Sequence, residues 1–343
     1  MSDINTRIEG RAGRITLTRT KALNALSYDM CLALDGALKA WRDDDDVALV
    51  IIDAEGDKAF CAGGDIAQLY ETGKAGDFGY SRQFWRDEYQ MNARLAEYPK
   101  PVVSFMQGFV MGGGVGVGCH GTHRVVGDST RIAMPETGIG LVPDVGGSML
   151  LAGAPGSLGE YLGLTAARIG PGDAIRAGFA DHYLPEGRWA DVIATLSASG
   201  DVSALIDAAE PAPEPQLATE AERIDRIFGA GDLAAIKAAA EADDSDLARD
   251  ITKALSRNSP LSMAVTLEML ARLRPVTTIR QTLQQEYRAT WRSMELGDFL
   301  EGIRAQIIDK DRNPKWQYAD GAVPASAVDD MLAPLGENEL TFD

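Results

Sequence analysis

The sequence of 343 residues has few cysteines, few histidines and little basic charge. It contains three cysteines and three histidines, and their spacing resembles neither a zinc site nor a disulfide framework. Lys and Arg total 33 against 51 Asp and Glu, so the formal net charge is −18. Nucleic-acid binding needs a basic surface, and an anionic membrane surface would repel this chain. We therefore expect no metal site, no nucleic-acid partner and no membrane partner.

Long apolar runs are also missing from the sequence. No run approaches the roughly 20 apolar residues of a membrane-spanning helix. Residues 1–17 have neither the apolar stretch of a signal peptide nor the Arg- and Ser-rich pattern of a transit peptide. These features favour a cytoplasmic protein. What is present, 45% hydrophobic and 24% charged residues, is typical of a packed globular protein.

Apolar patterns in the first part of the chain predict an α/β core. Residues 8–17 are typical of a hairpin, and the apolar runs at 47–52, 101–106 and 124–126 predict buried strands. Helical patterns separate the strands, beginning with a helix that Ser27 would cap. Alternation of strands and helices favours a sheet that is covered on both faces.

The composition changes after residue 206. Residues 207–217 are acidic and contain three prolines, which is typical of a linker. The residues that follow are rich in Ala, Leu, Glu and Arg and predict helices to about residue 309. We expect a core at 1–206, a linker at 207–217 and a helical region at 218–343.

Two glycine-rich segments each follow a predicted strand, at residues 60–66 and 111–118. Glycine lets a backbone N–H approach a ligand closely, and two such segments in one core can each direct one N–H at a single oxygen. That arrangement is an oxyanion hole. Either segment alone is equally compatible with a tight turn, and neither has the spacing of a Rossmann or P-loop motif.

Three carboxylates are candidates for chemistry. Glu136 and Asp144 lie eight positions apart with two glycines and a proline between them, so they are not on a regular helix and can converge on one cavity. The alternative is a pair of solvated loop carboxylates. Glu88 falls on the apolar stripe of a helical pattern at 80–96, where a charge needs a function or a partner such as Arg82.

These segments together resemble the crotonase superfamily, which is also called the enoyl-CoA hydratase/isomerase superfamily. The resemblance covers about residues 4–316. It implies a crotonase-type spiral of strand–strand–helix turns followed by a C-terminal helical region, and an acyl-CoA thioester as substrate. It also implies that Gly64 and Gly113 donate N–H groups to the thioester oxygen. The implied coenzyme A contacts are Lys21, Ala22, Leu23, Ala62, Gly63, Gly64, Asp65 and Ile66.

Further features resemble the branch of this superfamily that hydrolyses 3-hydroxyisobutyryl-CoA. Typical hydratases have a glutamate where this chain has Gly116, and a glycine where it has Asp144. The sequence around Glu88 and the C-terminal segments at 259–262, 285–288 and 298–316 also resemble the hydrolases. The resemblance implies that Glu136 attacks the thioester or activates water. It implies that Asp144 orients the 3-hydroxyl or the water, and that Glu88 binds the 3-hydroxyl.

We therefore expect hydrolysis of a short 3-hydroxyacyl-CoA with no separate cofactor, because coenzyme A is part of the substrate. Two alternatives stay open: a short-chain enoyl-CoA hydratase that uses Glu136 alone, and a non-enzymatic coenzyme A-binding protein of the same fold. The 3-hydroxyisobutyryl and 3-hydroxypropionyl esters differ by one methyl group, which a pocket discriminates by only about 1–3 kcal/mol. The sequence leaves the oligomeric state open, a homo-oligomer included.

Overall fold

The structure, a computed structural model, describes residues 3–274 and 278–343. These residues form two compact units that alternate along the chain. The first unit contains the residues up to Asp65, Asp87–Ala133 and Arg168–Gln216, and the second contains Ile66–Arg86, Met134–Ala167 and the residues from Leu217 onward. This division reflects which residues pack together, and it does not decide which segments of the chain fold independently. The predicted domain organisation therefore stays a prediction, with a core at 1–206, a linker at 207–217 and a helical region at 218–343.

The strands belong to the first unit and form two sheets. They are β1 (Ile4–Glu9), β2 (Ala12–Leu17), β3 (Leu49–Ala54), β4 (Ala59–Cys61), β5 (Val102–Met106), β6 (Phe109–Met111), β7 (His123–Val126), β8 (Arg131–Ala133) and β9 (His182–Tyr183). The larger sheet has the order β1-β2-β3-β5-β7-β9, and the smaller sheet has the order β4-β6-β8. The predicted hairpin is confirmed, because β1 and β2 pair antiparallel around Gly10, whose φ is +61°.

A repeated connection links the two sheets. Each of β3, β5 and β7 in the larger sheet is followed directly by a strand of the smaller sheet, namely β4, β6 and β8. Neighbours in both series are parallel, so the chain returns to the same edge after each repeat and winds as a spiral. The three predicted buried strands are confirmed. Strand β3 begins at Leu49 rather than at Val47, because its pairing with β2 begins there.

The helices are α1 (Tyr28–Trp41), α2 (Ala67–Lys74), α3 (Gly79–Ala96), α4 (Gly113–Gly118), α5 (Gly147–Gly153), α6 (Leu158–Thr165), α7 (Pro171–Arg176), α8 (Trp189–Ser199), α9 (Ser203–Ala208), α10 (Ala221–Phe228), α11 (Leu233–Glu241), α12 (Asp246–Arg257), α13 (Pro260–Leu273), α14 (Ile279–Ser293), α15 (Phe299–Ile303) and α16 (Ala325–Leu332). Helix α1 begins as predicted, because the Ser27 side chain accepts a hydrogen bond from the N–H of Met30 at 3.3 Å. No helix in the described part of the chain has both the length and the hydropathy to cross a membrane.

Each unit has its own hydrophobic core. In the first unit, one face of the larger sheet packs against α8 and α9, and the ring of Phe105 lies 5.4 Å from that of Trp189. In the second unit, α13, α14 and α16 pack around Val265 and Met269. The described residues from Leu217 onward are mainly helical, as the sequence predicted.

We predict opposite effects of alanine at two helical glycines. A methyl group on Gly302 in α15 would lie 1.9 Å from the carbonyl oxygen of Ile139, so Gly302→Ala should lower the free energy of unfolding by about 1–3 kcal/mol. A methyl group on Gly36 in α1 meets no described atom within 4 Å, so Gly36→Ala should raise it by about 0.5–1 kcal/mol. Urea unfolding of both variants measures the difference. Equal stability of the two variants would contradict the close packing at Gly302.

Candidate active site

The first glycine-rich segment is paired with the loop that follows β2. The N–H of Leu26 donates to the carbonyl of Gly63 at 2.8 Å, and the N–H of Asp65 donates to the carbonyl of Leu26 at 2.9 Å. This register leaves the N–H of Gly64 outside the pairing. Open space lies beside Gly64, since a Cβ built there meets no described atom within 4 Å. The Gly64 backbone therefore borders open space on the side where a side chain would lie.

The second glycine-rich segment approaches the first within the same unit. Gly113 is the first residue of α4, so its N–H has no acceptor inside the helix. A Cβ on Gly113 would lie 3.3 Å from the backbone nitrogen of Gly64. The preceding Gly112 has φ +49° and ψ −118°, a conformation that strongly favours glycine. The structure thus brings Gly64 and Gly113 together, as the sequence predicted, and their action on one oxygen stays a prediction.

Glu88 lies beside this glycine pair on the buried side of α3. Its side chain is 3% exposed, and its Oε1 atom is 3.2 Å from the position that a Cβ on Gly113 would take. Burial raises the pKa of Cys31, and the negative charge of Glu88 raises it further. Burial likewise raises the pKa of Cys61 to about 12, with a contribution from Glu88. Both neighbouring thiols are therefore protonated at neutral pH and are poor nucleophiles.

The sequence left open a salt bridge between Glu88 and an arginine such as Arg82, and this alternative stays a prediction. Within the second unit, the guanidinium of Arg82 binds the carboxylate of Glu295 at 2.6 Å and lies 4.1 Å from the ring centre of Trp291.

The predicted coenzyme A residues of the first unit lie in two connected loops. Lys21, Ala22 and Leu23 belong to or directly follow a 3₁₀ turn at Thr20–Ala22, and Lys21 and Leu23 are exposed. The N–H of Ala62 donates to the carbonyl of Leu23 at 3.1 Å, which joins this turn to the first glycine segment.

Two further residues, Asp65 and Ile66, were also predicted to contact coenzyme A. Asp65 is tied by an ion pair of 2.7 Å to Arg19, a cation that the sequence prediction did not include. Ile66 belongs to the second unit, where it directly precedes α2. Coenzyme A binding by these residues stays a prediction.

Glu136 and Asp144 are both buried in the second unit, with side chains 4% and 5% exposed. The picture of two solvated loop carboxylates is therefore wrong. Glu136 opens a 3₁₀ turn at Glu136–Ile139, and its Oε2 atom has no hydrogen-bond partner among the described residues. Burial raises the pKa of Glu136 well above its ordinary value, and the negative charges of Asp144 and Glu286 raise it further.

Glu286 on α14 is a site residue that the sequence prediction missed. Its carboxylate is fully buried and accepts hydrogen bonds from the N–H of Gly146 at 2.8 Å, from the N–H of Ser148 at 3.1 Å and from the Ser148 hydroxyl. Burial raises the pKa of Glu286 to about 8, against the opposing effect of these donors. The sequence contained a signal for the burial of Glu286, because this acid lies on the same helical face as Leu283 and Thr290. An acid on the buried face of a helical pattern is also what singled out Glu88.

The C-terminal segments that resembled the family hold the Glu136 turn within the second unit. The N–H of Ser259 donates to the carbonyl of Thr137 at 2.9 Å, and the hydroxyl of Ser259 donates to Asp298 at 2.7 Å. The Asn258 amide donates to the carbonyl of Leu164 at 2.8 Å, and to the hydroxyl of Thr137 at 3.3 Å. These contacts anchor the backbone on which Glu136 is carried.

The fold and the glycine-rich segments are those of a known protein family. The model of the enoyl-CoA hydratase/isomerase family matches residues 12–332, and the chain belongs to that family. It is similar to the mitochondrial 3-hydroxyisobutyryl-CoA hydrolase of Gallus gallus, with 38% identity over 99% of this chain and 91% of the relative. The mitochondrial 3-hydroxyisobutyryl-CoA hydrolase of Danio rerio is 40% identical over 96% of this chain and 89% of the relative.

Solved structures agree on the fold. The crystal structure of an enoyl-CoA hydratase from Rhodobacter sphaeroides has a TM-score of 0.96 and 56% identity, and covers 99% of this chain and 100% of that one. The crystal structure of a carnitinyl-CoA dehydratase from Mycobacterium thermoresistibile has a TM-score of 0.95 and 42% identity, and covers 100% of this chain and 99% of that one. The predicted crotonase-type fold is therefore confirmed.

We predict that Glu136→Gln stabilises the protein increasingly as the pH rises. The folded-state pKa of Glu136 is raised, so its stabilising contribution is fully present below about pH 4.5 and is lost as the pH rises toward the folded-state pKa. The glutamine side chain of the variant stays neutral, so the stability difference between variant and wild type should grow with pH, by at most about 1.4 kcal/mol per pH unit. Urea unfolding from pH 5 to pH 8 measures it, with the exposed Glu241→Gln as control. A pH-independent difference would contradict the raised pKa.

Proposed function

We propose that this protein hydrolyses the thioester of a short 3-hydroxyacyl-CoA, most simply 3-hydroxyisobutyryl-CoA, to the free acid and coenzyme A. The observation that carries the proposal is the burial of both Glu136 and Asp144 in the second unit, together with the lack of a side chain at Gly116. The names of the similar animal relatives support the substrate.

In this proposal the backbone N–H groups of Gly64 and Gly113 bind the thioester oxygen. Negative charge develops on that oxygen when a nucleophile attacks the carbonyl carbon, and preorganised N–H donors stabilise it. Loss of one such donor typically slows catalysis by about 10²–10³-fold. The open space at Gly64 and its approach to Gly113 support this role.

Glu136 provides the attacking group. Its unpartnered Oε2 atom either attacks the carbonyl carbon, giving a mixed anhydride that water then hydrolyses, or takes a proton from the water that attacks. Both routes break the carbon–sulfur bond, and the departing thiolate takes a proton to become free coenzyme A. Asp144 orients the 3-hydroxyl or the water and assists this proton transfer. A pKa raised toward the working pH suits Glu136 to proton exchange.

Substrate recognition is divided between the acyl and coenzyme A ends. The buried Glu88 accepts a hydrogen bond from the 3-hydroxyl of the acyl group. Lys21, Ala22 and Leu23 and the segment from Ala62 to Ile66 bind coenzyme A. We propose no separate cofactor, because every group that the reaction requires is present in the substrate, in water or in these side chains.

Hydration of a short enoyl-CoA is the second candidate, and the names of the two similar solved structures favour it. Hydration adds water across a carbon–carbon double bond and needs one group to activate water and a proton delivered to the neighbouring carbon. Typical hydratases of the family share this work between two glutamates. Gly116 supplies no carboxylate, and Asp144 stands where those hydratases have glycine. We therefore favour hydrolysis.

A cytoplasmic location stays a proposal. The names of the two similar animal proteins include the word mitochondrial, which describes those proteins. Fractionation of the source cells, followed by detection of the protein with an antibody, tests the location.

We predict that Glu136→Ala abolishes thiol release, because it removes the proposed attacking group. Asp144→Gly should slow hydrolysis, because it gives this position the glycine of typical hydratases. Loss of a nucleophile or general base typically costs about 10²–10⁴-fold or more. Free thiol is measured over a panel of short 3-hydroxyacyl-CoA esters, and coenzyme A binding is measured by calorimetry. Glu241→Ala, at an exposed glutamate, is the control.

Two outcomes of this panel decide between the candidate functions. Retention of most thiol release by folded Glu136→Ala would sink the proposed mechanism. Turnover of crotonyl-CoA or methacrylyl-CoA by the wild type, with no thiol release from any ester, would establish hydration instead.

We predict that Glu88→Gln weakens the preference for hydroxylated esters. A hydrogen bond to a charged acceptor is worth about 1.5–3 kcal/mol, so the ratio of kcat/KM for 3-hydroxyisobutyryl-CoA over isobutyryl-CoA should fall by about ten- to hundredfold. Glu97→Gln, at an exposed glutamate just after α3, is the control. An unchanged ratio would leave Glu88 with a structural role only.

A further inference from the structure

We propose that Glu286 is a positioning residue for hydrolysis, which holds the Asp144–Ser148 turn so that the Asp144 side chain is presented beside Glu136. This inference rests on the proposed function for its catalytic consequence. Its structural part, the attachment of the turn to α14, stands on hydrogen bonds alone.

The contacts of Glu286 are concentrated on one short turn. Its Oε2 atom accepts from the N–H of Gly146 at 2.8 Å, and its Oε1 atom accepts from the N–H of Ser148 at 3.1 Å and from the Ser148 hydroxyl. The side chain has no exposed surface, so water does not supply these interactions. A buried carboxylate requires donors of this kind, and here all three belong to the turn that follows Asp144.

The turn has a backbone conformation that needs such support. Val145 has φ +53°, a left-handed conformation that a β-branched residue rarely adopts, and Gly146 follows with φ +80°. The N–H of Gly147 closes the turn on the carbonyl of Asp144 at 2.7 Å. With Val145 left-handed, the N–H groups of Gly146 and Ser148 both reach the carboxylate of Glu286. Removal of that acceptor should let the turn relax and move Asp144.

The consequence for Glu136 follows from electrostatics. Glu136 and Asp144 are both buried in the second unit and lie eight positions apart, at the two ends of the segment that begins with the Glu136–Ile139 turn. The negative charge of Asp144 adds to the effect of burial in raising the pKa of Glu136. A small displacement of Asp144 changes how it orients the 3-hydroxyl or water beside Glu136, and misplacement by about 1 Å can cost about 10²-fold in rate. Glu286 reaches the reaction chiefly through Asp144, because its own oxygen atoms are occupied by the turn and its direct effect on the pKa of Glu136 is smaller than that of Asp144.

The first experiment requires no substrate. Amide hydrogen exchange of Gly146 and Ser148 is compared between wild type, Glu286→Gln and Ser148→Ala, with Glu241→Gln at an exposed glutamate as control. Glutamine offers one acceptor oxygen where glutamate offers two, so exchange of at least one of these amides should accelerate by about ten- to hundredfold. Ser148→Ala keeps both amide bonds and should accelerate exchange less. Unchanged exchange in Glu286→Gln overturns the proposal.

The second experiment is a double-mutant cycle on thiol release. Glu286→Gln should lower kcat by about tenfold or more with little change in KM, and should have a much smaller effect in an Asp144→Asn background, because both changes act chiefly through Asp144. Equal losses in both backgrounds would show an independent role and overturn the inference. Should Glu286→Gln fail to fold, Ser148→Ala takes its place in the cycle, with a smaller expected loss of kcat that again shrinks in the Asp144→Asn background. If the wild type releases thiol from none of the esters, only the proposed function is overturned. The structural part of the inference is still tested, because the exchange experiment does not depend on turnover.

Discussion

The burial of negative charge in the second unit is the constraint on which its architecture depends. Glu136, Asp144 and Glu286 are at most 5% exposed, although the chain already has a net charge of −18. A buried carboxylate is costly unless donors compensate it or it takes up a proton. The unit meets this cost with the backbone donors of the Asp144–Ser148 turn and with raised pKa values. Glu286 lies on α14, whose Ala289 packs in the same apolar cluster as Val265 and Met269 of α13.

The two glycine-rich segments of the first unit show how an acidic chain can present positive potential without cationic side chains. Backbone N–H groups provide local positive potential at no cost in net charge, as the proposed binding of a thioester oxygen requires. This solution requires glycine where the two segments meet. A Cβ on Gly114 would lie 2.2 Å from the carbonyl oxygen of Cys61, so the start of α4 approaches the first segment more closely than any side chain permits.

Sequence patterns predicted the local structure better than the assembly of the site. Ser27 predicted the start of α1, and the apolar runs predicted β3, β5 and β7 within two residues, because hydrophobic periodicity and capping are local. The buried position of Glu88 followed from the same periodicity. The partnership of Glu286 with Gly146 was not predictable, because 140 residues separate them and only tertiary packing brings them together. The membership of residues 66–86 in the second unit had no local signal either.

Hydrogen-bond satisfaction separates the roles of the buried acids. Glu286 has both oxygen atoms occupied by donors from its own chain, so it has little capacity left for a substrate and is suited to holding structure. Glu136 keeps Oε2 without a partner among the described residues, although a buried unsatisfied oxygen destabilises the folded state by about 1–3 kcal/mol. Such a cost persists where a ligand supplies the missing partner, and the raised pKa of Glu136 makes that oxygen a site for proton exchange. Of Glu136 and Glu286, only Glu136 therefore keeps a buried oxygen for a substrate, as the proposed function requires.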